Sequence, residues 1–411
     1  MKKPDYIKEH FNELGYTESV QLLKEWINYS NNQLLRQDAL EFLGEIDNRT
    51  HYKFFEALFL SDENLQISLS SGKILNKNYS FHDSFLSLLH YTIENVESIE
   101  KKLFAIDILR NIGSKDANII LFDCFSSIFN KFKIKTKSSE INFHNNNDPS
   151  QFSEIIEKGI NLLLYDYFIE SCGYKAKLQN NLITFLNCED AGLIRIKDIS
   201  GFNRLTHLEK LILNNNKISE ISDISHLKRL KYLDLSHNEL IKIKNLQGLN
   251  KLEILNLSNN KIEKIENLDY LTHLKTLNLS SNKIINITNL DKLTHLKKLN
   301  LSFNKIKKLT GLNNLIQLNI LLLNNNKIKK IEGLDNLREL KELYLNYNSI
   351  NEIQGIKFLK NLIVLLLDNN NIRDFYYSDL DTLNSLNFLS LNNNPLSLES
   401  RLTYYKKTRQ P

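Results

Sequence analysis

"LEILNLSNNKIEKIENLDYLTH" (residues 252–273) is followed by "LKTLNLSSNKIINITNLDKLTH" (274–295) and then by "LKKLNLSFNKIKKLTGLNNLIQ" (296–317). A unit that recurs with fixed apolar positions and varied neighbours marks a repeat architecture. Such units bury too little surface alone and become stable by stacking. Aligned on L-x-x-L-x-L-x-x-N-x-I, consecutive cores fall at Leu211/Leu213, Leu233/Leu235, Leu255/Leu257, Leu277/Leu279, Leu299/Leu301, Leu321/Leu323, Leu343/Leu345 and Leu365/Leu367, 22 residues apart. Leu389/Leu391 follows after 24 residues. Leu186/Cys188 precedes the series by 25, with Ala191 in place of the asparagine. The pattern predicts about ten repeats over 181–411, the first and last atypical.

Two periods coexist in each unit. The L-x-L core alternates with period two, as a short strand with one buried face does. The return segment places apolar residues at every third position, as at Ile218, Ile221, Ile224, Leu227 and Leu230. That spacing suits 3₁₀ or similarly tight turns. A strand on one side and a wider segment on the other stack into an α/β solenoid, a horseshoe with a parallel sheet on its concave side. The recurring asparagines at 216, 238, 260, 282, 304, 326, 348, 370 and 394 fit a buried ladder, because an amide donates and accepts at once.

The 22-residue unit "LKKLNLSFNKIKKLTGLNNLIQ" resembles the leucine-rich repeat of the type-1 protein phosphatase regulator class, a unit also used by bacterial internalins. The resemblance implies a binding frame. In the phosphatase regulators it implies a concave face that meets its phosphatase through acidic and aromatic side chains, and Asp234, Glu342, Tyr344 and Asp368 stand at such positions here.

Composition bounds the rest. The 411 residues exceed what one compact core organises, and the balance of 25% charged to 42% hydrophobic residues is that of a folded soluble protein. A net charge of +5 permits an acidic partner without demanding nucleic acid. Cys124, Cys172 and Cys188 are too few and scattered for a disulfide framework, and no C-x-x-C supports zinc. The N-terminal stretch lacks the apolar run of a signal peptide, and no stretch is long enough to span a membrane. A cytoplasmic protein is expected.

Residues 1–130 read as an all-α array. "SVQLLKEWINYS" puts Val20, Leu23 and Ile27 on one helix face. "QDALEFLGEID", "QISLSSGKILN" and "LFAIDILRNIG" align with small residues at Ala39, Ser68 and Ala105, and each precedes a second helical segment. Paired helices that cross at a small residue resemble HEAT-type repeats; a generic helical bundle is the other reading. Residues 131–147 read as a linker, whose lysines at 131, 133, 135 and 137 form either a solvated helix end or an anion-binding strand. A helix over 148–180, started by Asp148-Pro149 and ended by Gly173, is expected to cap the repeat stack. A C-terminal cap, 395–411, is expected to pack Leu398, Leu402 and Tyr405 inward.

No phosphate loop, dinucleotide fingerprint, H-E-x-x-H or G-x-S-x-G occurs. His207, His273 and His295 share one repeat position and belong to a recurring turn. Neither cofactor, metal nor catalysis is expected. What varies between repeats is then informative. Strand residues flanking the leucines face the concave side. In the first half they are mostly polar (Lys210, Asp234, Asn256, Asn278, Lys298, Asn300), and from the sixth repeat on they become Ile320, Leu322, Tyr344, Val364, Leu366 and Phe388, with Tyr347 and, at the border, Phe303. A contiguous apolar patch of this kind marks a partner-binding surface or one covered by the chain itself. A basic edge stacks Lys261, Lys283, Lys305 and Lys327, with Lys307, Lys308, Lys329 and Lys330 nearby. It is either a solvated consensus edge or a site for an acidic partner or nucleic acid. The leading reading is a non-catalytic scaffold that grips another protein; nucleic acid is the lesser alternative.

Overall fold

Every L-x-L core forms a short strand with its central leucine buried. In the computed structural model, which describes residues 2–134, 149–375, 380 and 382–408, the strands are β1 (Lys175–Gln179), β2 (Leu182–Asn187), β3 (Lys210–Ile212), β4 (Tyr232–Asp234), β5 (Ile254–Asn256), β6 (Thr276–Asn278), β7 (Lys298–Asn300), β8 (Ile320–Leu322), β9 (Glu342–Tyr344), β10 (Val364–Leu366) and β11 (Phe388–Ser390). They lie in chain order in one sheet of eleven. From β2 to β11 all pairs are parallel and in register, so that Leu186, Leu211, Leu233 and their successors through Leu389 form one row. Only β1 runs antiparallel, beside β2 at the N-terminal edge.

The return segments obey the predicted period of three. Leu227 donates its N–H to Ile224 O and Leu230 to Leu227 O, each at 3.1 Å. Regular 3₁₀ helices occur early, at Ile196–Asp198 and Phe202–Arg204; the later coils turn through single hydrogen bonds of this type. Gly311, Gly333 and Gly355 sit in them at positive φ, where a Cβ would lie 2.4, 2.3 and 2.2 Å from the carbonyl oxygens of Ile287, Leu309 and Ile331. No side chain fits there.

The asparagine ladder has the bonding its chemistry suggests. Asn304, 8% exposed, donates from Nδ2 to Leu279 O, Leu301 O and Ser302 O at 2.9, 3.1 and 3.2 Å, and its Oδ1 accepts from Ile284 N at 2.9 Å. Asn238, Asn260, Asn282, Asn326 and Asn370 repeat the arrangement one coil at a time. Each amide thus stitches its own turn to the coil before it.

The chain divides into two compact units, Met1–Leu163 and Leu164–Pro411. The first carries helices α1 (Pro4–Glu9), α2 (Phe11–Tyr29), α3 (Gln33–Ile46), α4 (Tyr52–Ser61), α5 (Leu65–Tyr79), α6 (Asp83–Asn95), α7 (Ile99–Ile112) and α8 (Lys115–Lys131); α9 (Pro149–Asp166) runs across the boundary. Asn32, Asn64, Ser98 and Ser114 cap α3, α5, α7 and α8 by accepting first-turn N–H groups. Val20, Leu23 and Ile27 are buried, as are Ala39, Ser68 and Ala105. Closest approach also needs two glycines beyond those small residues: a Cβ on Gly44 would lie 2.6 Å from Ile74 Cδ1, and one on Gly72 2.5 Å from Phe104 Cε1. A Cβ on Gly159 of α9 would lie 2.3 Å from Phe125 of α8, so this part of α9 packs within the helical unit. In the second unit, α9 passes into a π-turn at Tyr167–Ser171, with Phe168 buried and its ring 6.0 Å from Tyr174 just before β1.

One expectation changes. The C-terminal helix α10 (Leu398–Thr408) turns Ser400 inward, where its Oγ accepts from Phe375 N at 3.0 Å, while Leu398 and Leu402 are 75% and 54% exposed. Leu398 and Leu402 share a face, but Ser400 lies nearly opposite on the helix, and its bond to the last coil sets the rotation. Lys135, Lys137 and the rest of the linker through Asn147, like the side chain of Tyr405, lie outside the described residues.

Candidate protein-binding face of the repeat sheet

The register places the varied residues in rows. One row runs Lys210, Tyr232, Ile254, Thr276, Lys298, Ile320, Glu342, Val364, Phe388; the next runs Ile212, Asp234, Asn256, Asn278, Asn300, Leu322, Tyr344, Leu366, Ser390. Ile320, Leu322, Tyr344, Val364 and Leu366 are half-buried and Phe388 is exposed. The first four repeats satisfy themselves. Lys210 Nζ stands 4.4 Å over the Tyr232 ring and 5.7 Å over that of Phe185, and Asn256 donates to Asp234 at 3.1 Å. Burial and the neighbouring Asp234 push the Tyr232 hydroxyl above its usual pKa.

A change in hydrogen bonding separates the two halves. Asp234, Asn256, Asn278 and Asn300 each cap their own turn, accepting from the backbone N–H of Ser236, Ser258, Ser280 and Ser302 at 2.9 to 3.2 Å. Leu322, Tyr344 and Leu366 occupy the same row and cannot do this. After Tyr344 and Leu366 the turn N–H groups of Asn346 and Asp368 donate instead to the side chains of Asn324 and Asn346 in the preceding coil, at 3.0 and 2.9 Å, and after Ser390 the N–H of Asn392 donates likewise to Asp368 at 2.7 Å. Moving the cap to these later residues releases the strand-end position from its folding duty. Apolar side chains hold it in β8, β9 and β10.

Phe303 and Tyr347 carry a second sign of specialisation. Both occupy a recurrent left-handed turn position, at φ +58° and +57°, where five other coils have Asn215, Asn259, Asn325, Asn369 and Asn393 and two have His237 and Ser281. Asparagine tolerates that region, whereas a bulky aromatic side chain is strained there. Yet Phe303 and Tyr347 are 57% and 56% exposed, so interior packing does not explain them. Inside the patch, Tyr344 donates its hydroxyl to Glu342 at 2.8 Å, and that bond, aided by burial, raises the tyrosine pKa.

The basic edge is partly neutralised. Lys261 pairs with Glu239 at 3.0 Å and Lys330 approaches Glu352 at 3.9 Å. Lys283, Lys305, Lys307, Lys308, Lys327 and Lys329 are exposed and form no ion pair among the described residues. The stacked histidines serve turns: the rings of His273 and His295 lie 6.4 Å apart, and His295 Nδ1 meets Thr272 O at 3.1 Å. A different cluster, absent from the sequence reading, joins His90 and Glu94 on α6 to Cys124 on α8. The H-x-x-x-E spacing on one helix face was its only trace in the sequence.

The family description "Leucine Rich repeats (2 copies)" matches residues 228–270 and 272–314, and "Leucine rich repeat" matches 195–240. The coils are leucine-rich repeats. No curated protein sequence matches the chain. Among solved structures, the internalin InlF of Listeria monocytogenes is 28% identical, covering 58% of this chain and 82% of its own at a TM-score of 0.43. Internalin C2 of the same organism is 26% identical, covering 56% and 92% at 0.41. The leucine-rich repeat domain of APL1B is 22% identical, covering 61% and 70% at 0.46. No helix among the described residues is long and apolar enough to cross a membrane.

Proposed function

We propose that this protein is a non-catalytic scaffold that binds a partner protein on the C-terminal half of its leucine-rich repeat sheet. The transfer of turn capping from the strand-end row to Asn324, Asn346 and Asp368 carries this reading. It leaves Leu322, Tyr344 and Leu366 with no capping role and a part-exposed position, flanked by the exposed aromatics Phe303, Tyr347 and Phe388. Ile320 and Val364 complete the patch. Ten coils at about 4.8 Å per strand give a face of about 45 Å, room for the roughly 800 Å² per side of a standard interface. In this reading the segment after Leu164 and strand β1 lid the first coil, and the helical unit is a HEAT-like array. Cys124, Cys172 and Cys188 form no disulfide, which suits a reducing, cytoplasmic setting.

A phosphatase-regulator-like role is the finer form of the proposal. Asp234 and Asp368 are engaged in capping turns, so the hydrogen-bonded pair Glu342–Tyr344 is what remains to meet a phosphatase. The experiment is the double variant Tyr344→Ala/Leu366→Ala. Thermal unfolding should stay close to wild type while partner capture from cell extract is lost. Capture at the wild-type level would remove the sheet face from consideration. If the basic edge bound nucleic acid instead, affinity would fall by orders of magnitude between about 50 and 200 mM salt, whereas apolar docking would persist.

A further inference from the structure

We propose that His90, Glu94 and Cys124 form a zinc-binding site that ties helix α6 to helix α8. His90 and Glu94 stand four residues apart, hence on one face of α6, and Cys124 reaches them from α8. One donor atom from each, an imidazole nitrogen, a carboxylate oxygen and the thiol sulfur, lies within 4.8 Å of the other two. A tetrahedral zinc ion with bonds of about 2.0–2.3 Å needs its donors roughly 3.3–3.8 Å apart. The gap to that geometry is small and lies on the accommodating side: Glu94 is exposed and His90 half-exposed, while Cys124 is buried and held by packing. The exposed Glu94 and half-exposed His90 have room to adjust their rotamers toward the buried thiol.

The donor set selects the ion. Thiolate with imidazole favours zinc over magnesium or calcium, whose sites are built from oxygen alone. Binding replaces the hydrogen bond between the Cys124 thiol and Glu94 with a sulfur–zinc bond. The thiol proton passes to solvent as the metal joins the thiolate, and no oxidant is required. Three protein ligands leave the fourth position to water on the side where Glu94 is exposed. A site so placed fastens the two helices of one unit to each other. It does not depend on the sheet face, and its failure would leave the binding proposal intact.

The test uses the full chain without a histidine tag, stripped with EDTA and titrated with cobalt(II), whose thiolate complexes absorb in the near ultraviolet by charge transfer. A charge-transfer band should grow to an end point of one ion per chain and be displaced by zinc. Cys124→Ser should abolish the band, and His90→Gln and Glu94→Gln should each weaken binding at least about tenfold, a difference of about 1.4 kcal/mol. Zinc should raise the unfolding temperature of the wild type and not of Cys124→Ser. No band in the wild type, or a band that survives Cys124→Ser, would overturn the assignment and leave a simple thiol–carboxylate hydrogen bond. Should Cys124→Ser fail to fold by circular dichroism, His90→Gln decides alone: undiminished cobalt affinity in that surface variant also overturns the site.

Discussion

Replacing Asn304 by leucine tests the physical basis of the stack. The side chains share the same branched skeleton, so the change roughly keeps the shape while adding some bulk, and it removes four hydrogen bonds. The Ile284 N–H loses its acceptor in a buried place, and such an orphaned donor costs about 1–3 kcal/mol. Leu279 O loses its donor from the neighbouring coil, and carbonyls tolerate this better. Together these give roughly 2–4 kcal/mol, near the upper end of single-substitution effects. Asn304→Asp should not rescue it, because a carboxylate keeps the acceptor for Ile284 but faces three carbonyl oxygens. Repeat arrays can unfold in parts, so the assay is hydrogen exchange alongside urea unfolding, with lost protection expected first around Ile284 and Ile306. An unchanged urea midpoint, with Ile284 protected as in the wild type, would refute the ladder as a stabilising device. The same substitution at Asn394, in the last coil, should cost less, since terminal coils fray.

Four further expectations follow from individual positions. Phe303→Asn and Tyr347→Asn should stabilise the fold by up to about 1 kcal/mol, by placing a tolerant residue in the left-handed turn, while weakening partner capture; a loss of stability would show that the aromatics serve the fold. Gly333→Ala should lower stability by more than about 1 kcal/mol, since its Cβ would meet Leu309 O at 2.3 Å, and thermal unfolding measures it. Gly15→Ala, at φ +74° and ψ +166° with nothing within 4 Å of its Cβ, should cost about 1–3 kcal/mol through backbone strain alone. Tyr79→Phe removes a hydroxyl that donates to Asp47 at 2.6 Å and accepts from His51 N at 2.8 Å; a loss of about 1–3 kcal/mol is expected, with sheet-face binding unaffected.

The repeat unit was legible because its determinants are local and reiterated. A leucine at a fixed place in every coil has one environment, and the register of Leu211 predicts that of Leu365. The asparagine ladder was legible for the same reason, since a polar residue recurring among buried leucines needs partners of its own kind. The lid residues of α10 were not legible, because Leu398 and Leu402 gave an apolar stripe while a single serine bond set the rotation of the helix. Nor was the pairing of Lys261 with Glu239, which joins residues one whole coil apart.

The sequence by itself determined that leucines repeating every 22 residues would be buried in register, with their neighbours displayed on a parallel sheet. Only the tertiary structure decided which of those neighbours are released from capping, which aromatics sit strained and exposed in the turns, and that His90, Glu94 and Cys124 meet. The physical reason is range. Periodic burial follows from spacing along the chain, whereas a hydrogen bond handed from one coil to the next, or three donors from two helices, depends on distances that spacing does not encode.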